Sequence, residues 1–307
     1  MKKIAILLSS YNGEKYISGQ IESIINQKSS CEISIIVRDD GSKDSTVSIL
    51  ENYCKLNKIE LIKGDNYGPS KSFLWLLKEY RDYDYYSFSD QDDIWDINKI
   101  EKGIDVIKEI EKPTLYCSNS KLVDEDLNSY GRNTHRYNPT FNLESVLALL
   151  SCAQGCTIVI NKALAKIVQN NRLPENIVMH DSLVTCLCAA VNGKIIYDHN
   201  PTMKYRIYGE NTLGLSTKKQ IGIVNICRER LKEIFTKRKV SMSDQANEII
   251  NIYGNYINED NMKICKLVAN SSNSLLCRLK LVFSNKVRCD TLNMTITKKL
   301  KILFNNN

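Results

Sequence analysis

Three aspartates crowd one short stretch, YYSFSDQDDIW, in which Asp90, Asp92 and Asp93 follow aromatic and small residues typical of a buried strand. Carboxylates placed this close repel one another unless a cation shares the site. A hard divalent cation takes oxygen ligands and can bridge carboxylates to phosphate oxygens. A simpler interpretation is also open, in which the aspartates form a solvated turn and Asp96 or Asn98 caps the next helix.

Two other polar segments follow predicted strands. Residues 9–13 (SSYNG) come after the apolar run Ile4–Leu8, and residues 39–42 (DDGS) come after the β-branched run Ile33–Val37. In open α/β sheets, ligands bind at the carboxyl ends of the strands. We therefore expect the three polar segments to meet at one edge of a sheet and to form a site there.

The segments between these loops alternate between strand and helix patterns. Apolar residues recur at helical spacing after each strand, as in Ile17, Ile21, Ile24 and Ile25, and again in Phe73, Leu74 and Leu77. Further strands are expected at Ile59–Ile62 and Tyr85–Phe88. Four such units predict an α/β domain with a mainly parallel central sheet.

Composition excludes several classes of protein. The 307 residues are 43% hydrophobic, which suits a folded chain with a substantial core. The N-terminal MKKIAILLSS is expected to be a first strand, because its apolar stretch is too short for a signal peptide. No apolar run approaches the roughly 20 residues of a membrane-spanning helix. Eleven cysteines without a CxxC pair favour reduced thiols and a cytoplasmic protein. Three isolated histidines make a zinc site improbable.

Charge and phosphate-binding motifs narrow the function further. From residue 215 onward the chain has 17 Lys and Arg against 7 Asp and Glu, a balance of +10, which leaves −3 of the net +7 for the residues before it. The chain therefore combines a slightly acidic body with a basic tail. Neither GxGxxG nor GxxxxGK[ST] follows any predicted strand, so backbone amides are not expected to be the main cradle for phosphates. No nucleic-acid-binding motif is present, and none is expected at an acidic site.

Seven segments, taken in order, resemble family 2 glycosyltransferases, the inverting, nucleotide-sugar-dependent enzymes of the GT-A fold. They are SSYNGEKYISGQIESIINQ, IIVRDDGSKDST, NYGPSKSF, FSDQDDIWDINKI, GCTIVINKAL, MHDSL and YRIYGENTLG. The set is most similar to the rhamnosyltransferase-like branch that builds bacterial surface polysaccharides. The resemblance predicts a GT-A domain at residues 1–215 and leaves a basic helical region at residues 216–307.

The resemblance implies roles on the donor side. Asp39 matches the carboxylate that accepts the imide N–H of a uracil or thymine ring. Asp40 lies beside it on the nucleotide side, and Tyr11 matches a residue that lies against the base. The alternatives are that Asp39 only shapes its turn and that Tyr11 is a half-buried aromatic residue at a strand end.

The same resemblance assigns the metal site. Asp92 corresponds to the principal metal ligand of the DxD motif and Asp90 to its first carboxylate, while Asp93 is expected to orient the donor sugar or a metal-bound water. The implied cation is Mg²⁺ or Mn²⁺, which stabilises the charge that develops on the departing nucleoside diphosphate. Trp95 is expected to be a packing anchor rather than a sugar-stacking platform.

The resemblance implies that Asp181 is the catalytic base. The segment Ile177–Asn192 is predicted to be helical, with His180 and Asp181 at the helix N-terminus. The matching aspartate takes the proton from the acceptor hydroxyl as it attacks the anomeric carbon. The alternative is a charge that only stabilises the helix N-terminus. His180 stands where the family usually has an acidic residue, and Tyr208 where relatives often have His.

Three further predictions concern the neighbourhood of that base. Gln154 is a candidate contact to the acceptor. Arg206 or Lys204 is a candidate contact to the diphosphate. Residues Thr157–Ile160 are expected to form a strand.

Together these features predict an inverting glycosyltransferase that moves a sugar from a UDP- or dTDP-sugar, with dTDP-L-rhamnose as one candidate donor, to a glycan or lipid-linked glycan at the cytoplasmic face of the membrane. The basic tail is expected either to contact anionic lipid peripherally or to be an ordinary solvated cap. Two alternatives are a sugar nucleotidyltransferase and an inactive sugar-nucleotide-binding scaffold.

Overall fold

A computed structural model of the chain describes residues 1–208, 234–236 and 238–307. The strands of the described residues form a single sheet. They are β1 (Lys3–Ser10), β2 (Glu32–Asp39), β3 (Glu60–Lys63), β4 (Tyr85–Ser89), β5 (Ile94–Trp95), β6 (Thr114–Val123), β7 (Ser129–Asn133), β8 (Val159–Asn161) and β9 (Lys194–Arg206). The spatial order is β3-β2-β1-β4-β8-β6-β9-β5, and β7 pairs with β6.

Helices connect these strands and continue beyond the sheet. Within the sheet region they are α1 (Ile17–Ile25), α2 (Thr46–Lys55), α3 (Pro69–Glu79), α4 (Lys99–Ile107), α5 (Leu143–Leu147), α6 (Lys162–Gln169) and α7 (His180–Ala190). The C-terminal helices are α8 (Met242–Tyr253), α9 (Glu259–Ala269), α10 (Leu275–Phe283) and α11 (Leu292–Leu303).

The four predicted strand-helix units and the mainly parallel sheet are confirmed. Strands β3, β2, β1 and β4 are parallel, and β6 is parallel to β9. Strand β8 is antiparallel to both β4 and β6, so it joins the two parallel parts. This mixed arrangement places the carboxyl ends of β2, β1 and β4 side by side.

The strand predicted at Thr157–Ile160 is wrong in its first part. Residues Gly155–Thr157 form a single 3₁₀ turn, and strand β8 begins only at Val159. The turn is closed on the carbonyl oxygen of Gln154, which accepts bonds from the Thr157 N–H at 2.9 Å and from the Thr157 hydroxyl at 2.7 Å. A threonine hydroxyl that binds the backbone locally competes with a strand in this way.

Strand β1 is apolar on both faces because helices cover both. Ile4, Ile6 and Leu8 pack with the isoleucines of α1 and α4 on one side of the sheet. Ala5 and Leu7 point to the other side and pack with α3 and α7. Alternate side chains of a strand point to opposite faces, so a strand covered twice reads as a continuous apolar run.

The C-terminal helices share the second of these cores. Ile249 and Tyr253 of α8 are fully buried with Leu147 and Val184 of the sheet region. The boundary expected at residue 215 lies outside the described residues, as do the basic segment 228–232 and Lys237. The division of the chain into residues 1–215 and residues 216–307 therefore stays a prediction.

Among the described helices, none has the length and apolar character needed to cross a bilayer. The cysteines of the same residues are free thiols.

Close packing of α4 on the sheet generates a stability prediction at Gly103. A Cβ at this position would lie 2.8 Å from Cγ2 of Val159 and 3.1 Å from Cδ1 of Tyr116, both buried. We expect Gly103→Ala to lower the free energy of unfolding by about 1–3 kcal/mol, as overpacking does. Urea denaturation measures this change.

Gly19→Ala is the matched control, because Gly19 is also helical but its added Cβ would make only an ordinary contact of 3.4 Å with Ile94. That variant should gain up to about 1 kcal/mol from helix propensity. Equal unfolding free energies for the two variants would contradict the packing argument.

Candidate functional site

The three polar segments meet at one edge of the sheet, as expected. Ser10 is paired with Asp39 across β1 and β2, and Leu8 is paired with Ser89 across β1 and β4. The loops that follow these strands therefore lie next to one another. Strand β9 reaches the same place from the other side, because its end pairs with β5 directly after the acidic loop.

Asp39 lies at this edge with its carboxylate already engaged. The side chain is 1% exposed. One oxygen accepts from the backbone N–H of Ser42 at 2.8 Å and from that of Gly41 at 3.2 Å, and the other accepts from the hydroxyls of Ser10 at 3.0 Å and Ser42 at 2.6 Å. These four bonds shape the turn, so an incoming base N–H would have to replace one of the hydroxyl donors. The role of Asp39 in base recognition stays a prediction.

Asp40 anchors the next loop. Its carboxylate forms a buried ion pair with Arg38 and accepts from the backbone N–H of Gly68 at 2.7 Å and of Tyr67 at 3.1 Å. Arg38 also donates to the carbonyl oxygen of Asp65 at 2.9 Å. This network fixes the loop before α3. Nothing in the sequence except its place before the two aspartates pointed to Arg38. The cofactor-binding role predicted for Asp40 stays a prediction.

Gln91 holds the first loop against the acidic loop. Its side-chain oxygen accepts from the Tyr11 N–H at 2.8 Å, and its side-chain nitrogen donates to the Tyr11 carbonyl at 3.1 Å. A Cβ on Gly13 would lie 2.3 Å from the Gln91 oxygen, so a larger residue at this position would displace the Gln91 side chain. The Tyr11 side chain is left 43% exposed at the rim, which suits the predicted contact with a base but does not test it.

Asp90 lies between the other carboxylates. Burial, followed by the negative charges of Asp92 and Asp181, raises the pKa of Asp90 to about 7. Both residues are therefore within electrostatic reach of Asp90, although Asp181 is far away in the sequence. The acidic loop and the predicted base converge on one region.

Asp92 is held by the last residue of β9, Arg206, and by Tyr208 just beyond the strand. Tyr208 donates its hydroxyl to an Asp92 carboxylate oxygen at 2.6 Å, and Arg206 donates from Nε to the Asp92 carbonyl at 2.8 Å. Burial raises the pKa of Asp92, and the hydrogen bond from Tyr208 opposes that rise. Arg206 is itself buried, and its guanidinium lies 4.4 Å from the centre of the Tyr16 ring. Arg206 thus contacts the acidic loop, and it also donates to the carbonyl oxygen of Glu125. The predicted contact of Arg206 to a diphosphate stays a prediction.

Asp93 points inward, toward Cys156 and Lys99. One carboxylate oxygen of Asp93 accepts a hydrogen bond from the Arg206 N–H at 3.3 Å, whereas the other carboxylate oxygen is buried without a partner. Ligand atoms of Asp90, Asp93 and Cys156 lie within 4.8 Å of one another, and Asp92 is not in this group. Burial first, then the charges of Asp92 and Asp90, holds the pKa of Asp93 well above its usual range.

Lys99 supplies a buried cation behind Asp93. The side chain is completely buried, and Nζ lies 3.6 Å from the centre of the Trp95 ring and 3.4 Å from the Ser87 hydroxyl. Burial lowers the pKa of Lys99 to about 7, and the nearby Asp93 opposes this effect. Trp95 is 3% exposed, so its predicted role as a packing anchor agrees with its position. Sequence reasoning missed Lys99, because a lysine in the first turn of a helix looks like an ordinary surface residue.

The carboxylates do not cap the helix that follows them. Helix α4 begins after Asn98, whose side chain makes no capping hydrogen bond, and Asp96 contributes only its backbone carbonyl to the Lys99 N–H. The interpretation of the acidic loop as a simple helix cap is therefore not supported by its contacts.

Asp181 lies in the first turn of α7, which confirms the predicted helix. Its carboxylate accepts from the backbone N–H of Ser182 at 2.6 Å and of Gly155 at 3.1 Å. Burial outweighs these bonds and raises the pKa of Asp181 to about 6. Just above pH 6 this carboxylate is ionised yet remains a good proton acceptor, which suits a general base.

His180 packs beside this carboxylate as an uncharged ring. It is 2% exposed and stacks on Phe73 with ring centres 4.1 Å apart. Burial lowers the pKa of His180 to about 3, and both ring nitrogens lack a hydrogen-bond partner. A Cβ on Gly155 would come within 2.8 Å of Nε2, so the histidine and the 3₁₀ turn fit closely together.

Gln154 lies at the start of that turn with its side-chain oxygen bound by the Ser120 hydroxyl at 2.9 Å. Its side-chain nitrogen is buried and has no partner. The predicted acceptor contact is not tested by this geometry. Residues 209–214 of the last resembling segment lie outside the described part of the chain.

Comparisons with known proteins show which family the sequence matches. Residues 5–168 match the family described as "Glycosyl transferase family 2". The "dTDP-rhamnosyl transferase RfbG" of Shigella flexneri is 32% identical over 243 residues, which is 71% of this chain and 78% of that protein. The "Uncharacterized glycosyltransferase RT0329" of Rickettsia typhi is 28% identical over 68% of this chain and 65% of its own length.

Solved structures extend the likeness to the whole fold. The crystal structure of S. aureus TarS 1-349 in complex with UDP matches with a TM-score of 0.56 at 17% identity, over 99% of this chain and 89% of that one. A second structure of the same fragment, in complex with UDP-GlcNAc, matches equally well. The GT-A-like fold and its helical C-terminal region are thereby confirmed.

The raised pKa of Asp181 predicts a pH-dependent gain in stability when its charge is removed. A folded-state pKa of about 6 lies above the unfolded value, which is about 3.9. The folded state therefore loses stability as the pH rises from about 4 through 6. We expect Asp181→Asn, compared with the wild type, to raise the melting temperature by about 2–4 °C more at pH 8 than at pH 4.5.

Differential scanning calorimetry without metal or nucleotide measures the two differences. Comparing two pH values cancels any effect of the amide on the bonds to Gly155 and Ser182. The same shift at both pH values would show that Asp181 is not a destabilising buried charge.

Proposed function

Because the chain belongs to glycosyl transferase family 2, we propose that it transfers a sugar, with inversion, from a dTDP- or UDP-sugar to a hydroxyl group of a glycan acceptor. Nucleotide-sugar-dependent glycosyl transfer is the activity of the family. The observation that carries the proposal is the position of Asp90, whose pKa is raised by both Asp92 and Asp181. A donor-side carboxylate pair and a candidate base therefore share one region.

The donor proposal rests on relatives and on the loops. A named dTDP-rhamnosyl transferase is 32% identical to this chain, and the similar TarS fragment was crystallised with UDP and UDP-GlcNAc. We favour dTDP-rhamnose as donor, with UDP-sugars as the second choice. Asp39 would accept the base N–H in place of the Ser10 or Ser42 hydroxyl, and Tyr11, exposed at the rim, would cover the base. Asp40 would act by holding the loop that borders the nucleotide.

The residues present fit a divalent cation such as Mg²⁺ or Mn²⁺. Asp90 and Asp92 offer the carboxylate oxygens that such ions take. Asp93 and Cys156 fit less well, because the Lys99 ammonium neighbours them and because burial, with the charges of Asp93 and Asp90, holds the pKa of the Cys156 thiol well above its usual range. We propose that Asp90 and Asp92 hold the ion and that Asp93 positions their loop. When bound, the cation would offset negative charge on the diphosphate.

The reaction would be a single displacement. An acceptor hydroxyl oxygen forms a bond to the anomeric carbon while the bond from that carbon to the diphosphate oxygen breaks, and its electron pair leaves with the nucleoside diphosphate. Asp181 takes the hydroxyl proton. Its two backbone hydrogen bonds orient the carboxylate before the acceptor arrives, so little reorganisation is needed. With a pKa near 6, the base is ionised above that pH, and turnover should rise as the pH increases through 6.

The acceptor is proposed from the named relatives. Among them are a dTDP-rhamnosyl transferase and a protein of minor teichoic acid biosynthesis, GgaA of Bacillus subtilis, which is 33% identical over 33% of this chain. We propose a glycan or lipid-linked glycan, reached by peripheral contact with the cytoplasmic face of the membrane. Gln154 would contact that acceptor through its unpartnered side-chain nitrogen.

A panel of dTDP- and UDP-sugars, assayed with Mn²⁺ and a polyprenyl-linked glycan acceptor for release of nucleoside diphosphate, tests the proposal. With the active donor, Asp181→Asn should lower kcat by about 10²–10⁴-fold, the usual contribution of a general base. Asp92→Asn should lower turnover and weaken its dependence on Mn²⁺.

Asp82→Asn is the matched control, because Asp82 is exposed and precedes β4, at the opposite edge of the sheet. It should leave turnover unchanged. Full activity of both Asp92→Asn and Asp181→Asn would contradict the mechanism, and release of pyrophosphate would instead indicate a nucleotidyltransferase.

A further inference from the structure

Helices α10 and α11 each expose a row of large apolar side chains. On α10, Leu275, Leu276 and Phe283 are 55%, 63% and 81% exposed. On α11, Leu292 is 75% exposed and Ile296 is 49% exposed. Leu276 and Phe283 are seven positions apart and Leu292 and Ile296 are four apart, so each pair shares one face of its helix, and Leu275 lies directly beside Leu276. We call these five residues the α10–α11 surface.

The exposure does not come from frayed ends of loosely held helices. On the opposite faces, Leu281 of α10 and Ile302 of α11 are fully buried in the core that also contains α5 and α7. The Lys299 ammonium on α11 donates to the carbonyl oxygen of Ser284 at the end of α10, at 2.8 Å. The two helices are thus fixed side by side, with apolar side chains left facing outward.

The charge of the same segment is strongly positive. Residues 275–307 contain seven Lys and Arg and a single acidic residue, Asp290, whose carboxylate lies 3.2 Å from the ring of His135. Lys280, Lys286 and Arg288 are exposed. Interspersed apolar and basic side chains on a helix are typical of segments that lie in the interface of an anionic membrane. Each basic residue near such a surface contributes by attraction to anionic lipid.

We propose that the α10–α11 surface binds an anionic phospholipid bilayer, with its apolar side chains in the boundary between headgroups and acyl chains. Exposed apolar rows alone would also suit a second copy of the chain. A symmetric dimer through this face, however, would bring two positively charged segments together. Anionic lipid complements the charge that a second copy would repel. Only one part of this proposal, the choice of a membrane as the partner, rests on the proposed function.

Sedimentation of the full chain with vesicles tests this directly and needs neither donor nor acceptor, so its outcome is independent of the activity assay. The wild type should bind vesicles of phosphatidylcholine with phosphatidylglycerol, and binding should weaken in high salt. The double variant Leu276→Ser/Phe283→Ser should bind about tenfold more weakly, because two apolar side chains no longer enter the bilayer. Lys280→Glu should lose at least about fivefold, since one attraction becomes a repulsion.

Leu56→Ser and Lys58→Glu are matched controls, because Leu56 is 67% exposed and Lys58 is also exposed, both just after α2. They should bind as the wild type does. Far-ultraviolet circular dichroism confirms that each variant is folded. Equal binding of all variants would overturn the proposal. So would a wild type that fails to sediment with anionic vesicles and instead forms a dimer that Phe283→Ser dissolves in size-exclusion chromatography.

Discussion

The structure depends on keeping several carboxylates close together at one edge of a sheet. Asp90, Asp92 and Asp93 follow one strand, and Asp181 reaches them from a helix far away in the sequence. Burial raises the pKa of each of these groups, which means that the folded chain alone does not stabilise their full ionisation. Such a cluster costs stability unless a positively charged ligand complements it. A divalent cation that binds together with a nucleotide sugar supplies such a positive charge, so the raised pKa values and the family membership point to the same chemistry.

The rest of the fold holds these groups in place with few charges of its own. Backbone N–H groups of Gly155 and Ser182 fix Asp181. Arg206 at the end of β9 and Tyr208 just beyond it fix Asp92 and Asp93. The Arg38–Asp40 ion pair and the Gln91 amide link the neighbouring loops. Tyr208, at a position where the sequence resemblance implies a His, donates to Asp92. Removing that hydroxyl would therefore affect the acidic loop itself and not only a contact with substrate.

Much of the fold was predictable because its elements have strong local patterns. Strand β1 is recognisable as a continuous apolar run, and helix α1 by the helical spacing of its isoleucines. The acidic loop is recognisable as a cluster of aspartates after a strand. The short 3₁₀ turn at Gly155–Thr157 was missed because only two local hydrogen bonds, from the N–H and the hydroxyl of Thr157 to the Gln154 carbonyl oxygen, distinguish it from a strand. Lys99, Gln91 and Arg38 were missed as site residues for a different reason. The burial of Lys99 and Arg38 and the hydrogen bonds of Gln91 to Tyr11 arise from tertiary contacts across distant segments. Cys156 joins Asp90 and Asp93 only because β8 runs antiparallel beside β4.

The most direct test of this account is calorimetric titration of the protein with dTDP and with UDP, in Mn²⁺ and in EDTA. We expect one of the nucleotides to bind at least about tenfold more tightly with Mn²⁺, a difference of about 1.4 kcal/mol. We also expect Asp90→Asn and Asp92→Asn to abolish that difference while the control Asp82→Asn retains it. If both nucleotides bind with the same affinity in Mn²⁺ and in EDTA, or if the two variants keep the effect of the metal, the carboxylates do not converge to hold a cation beside the diphosphate.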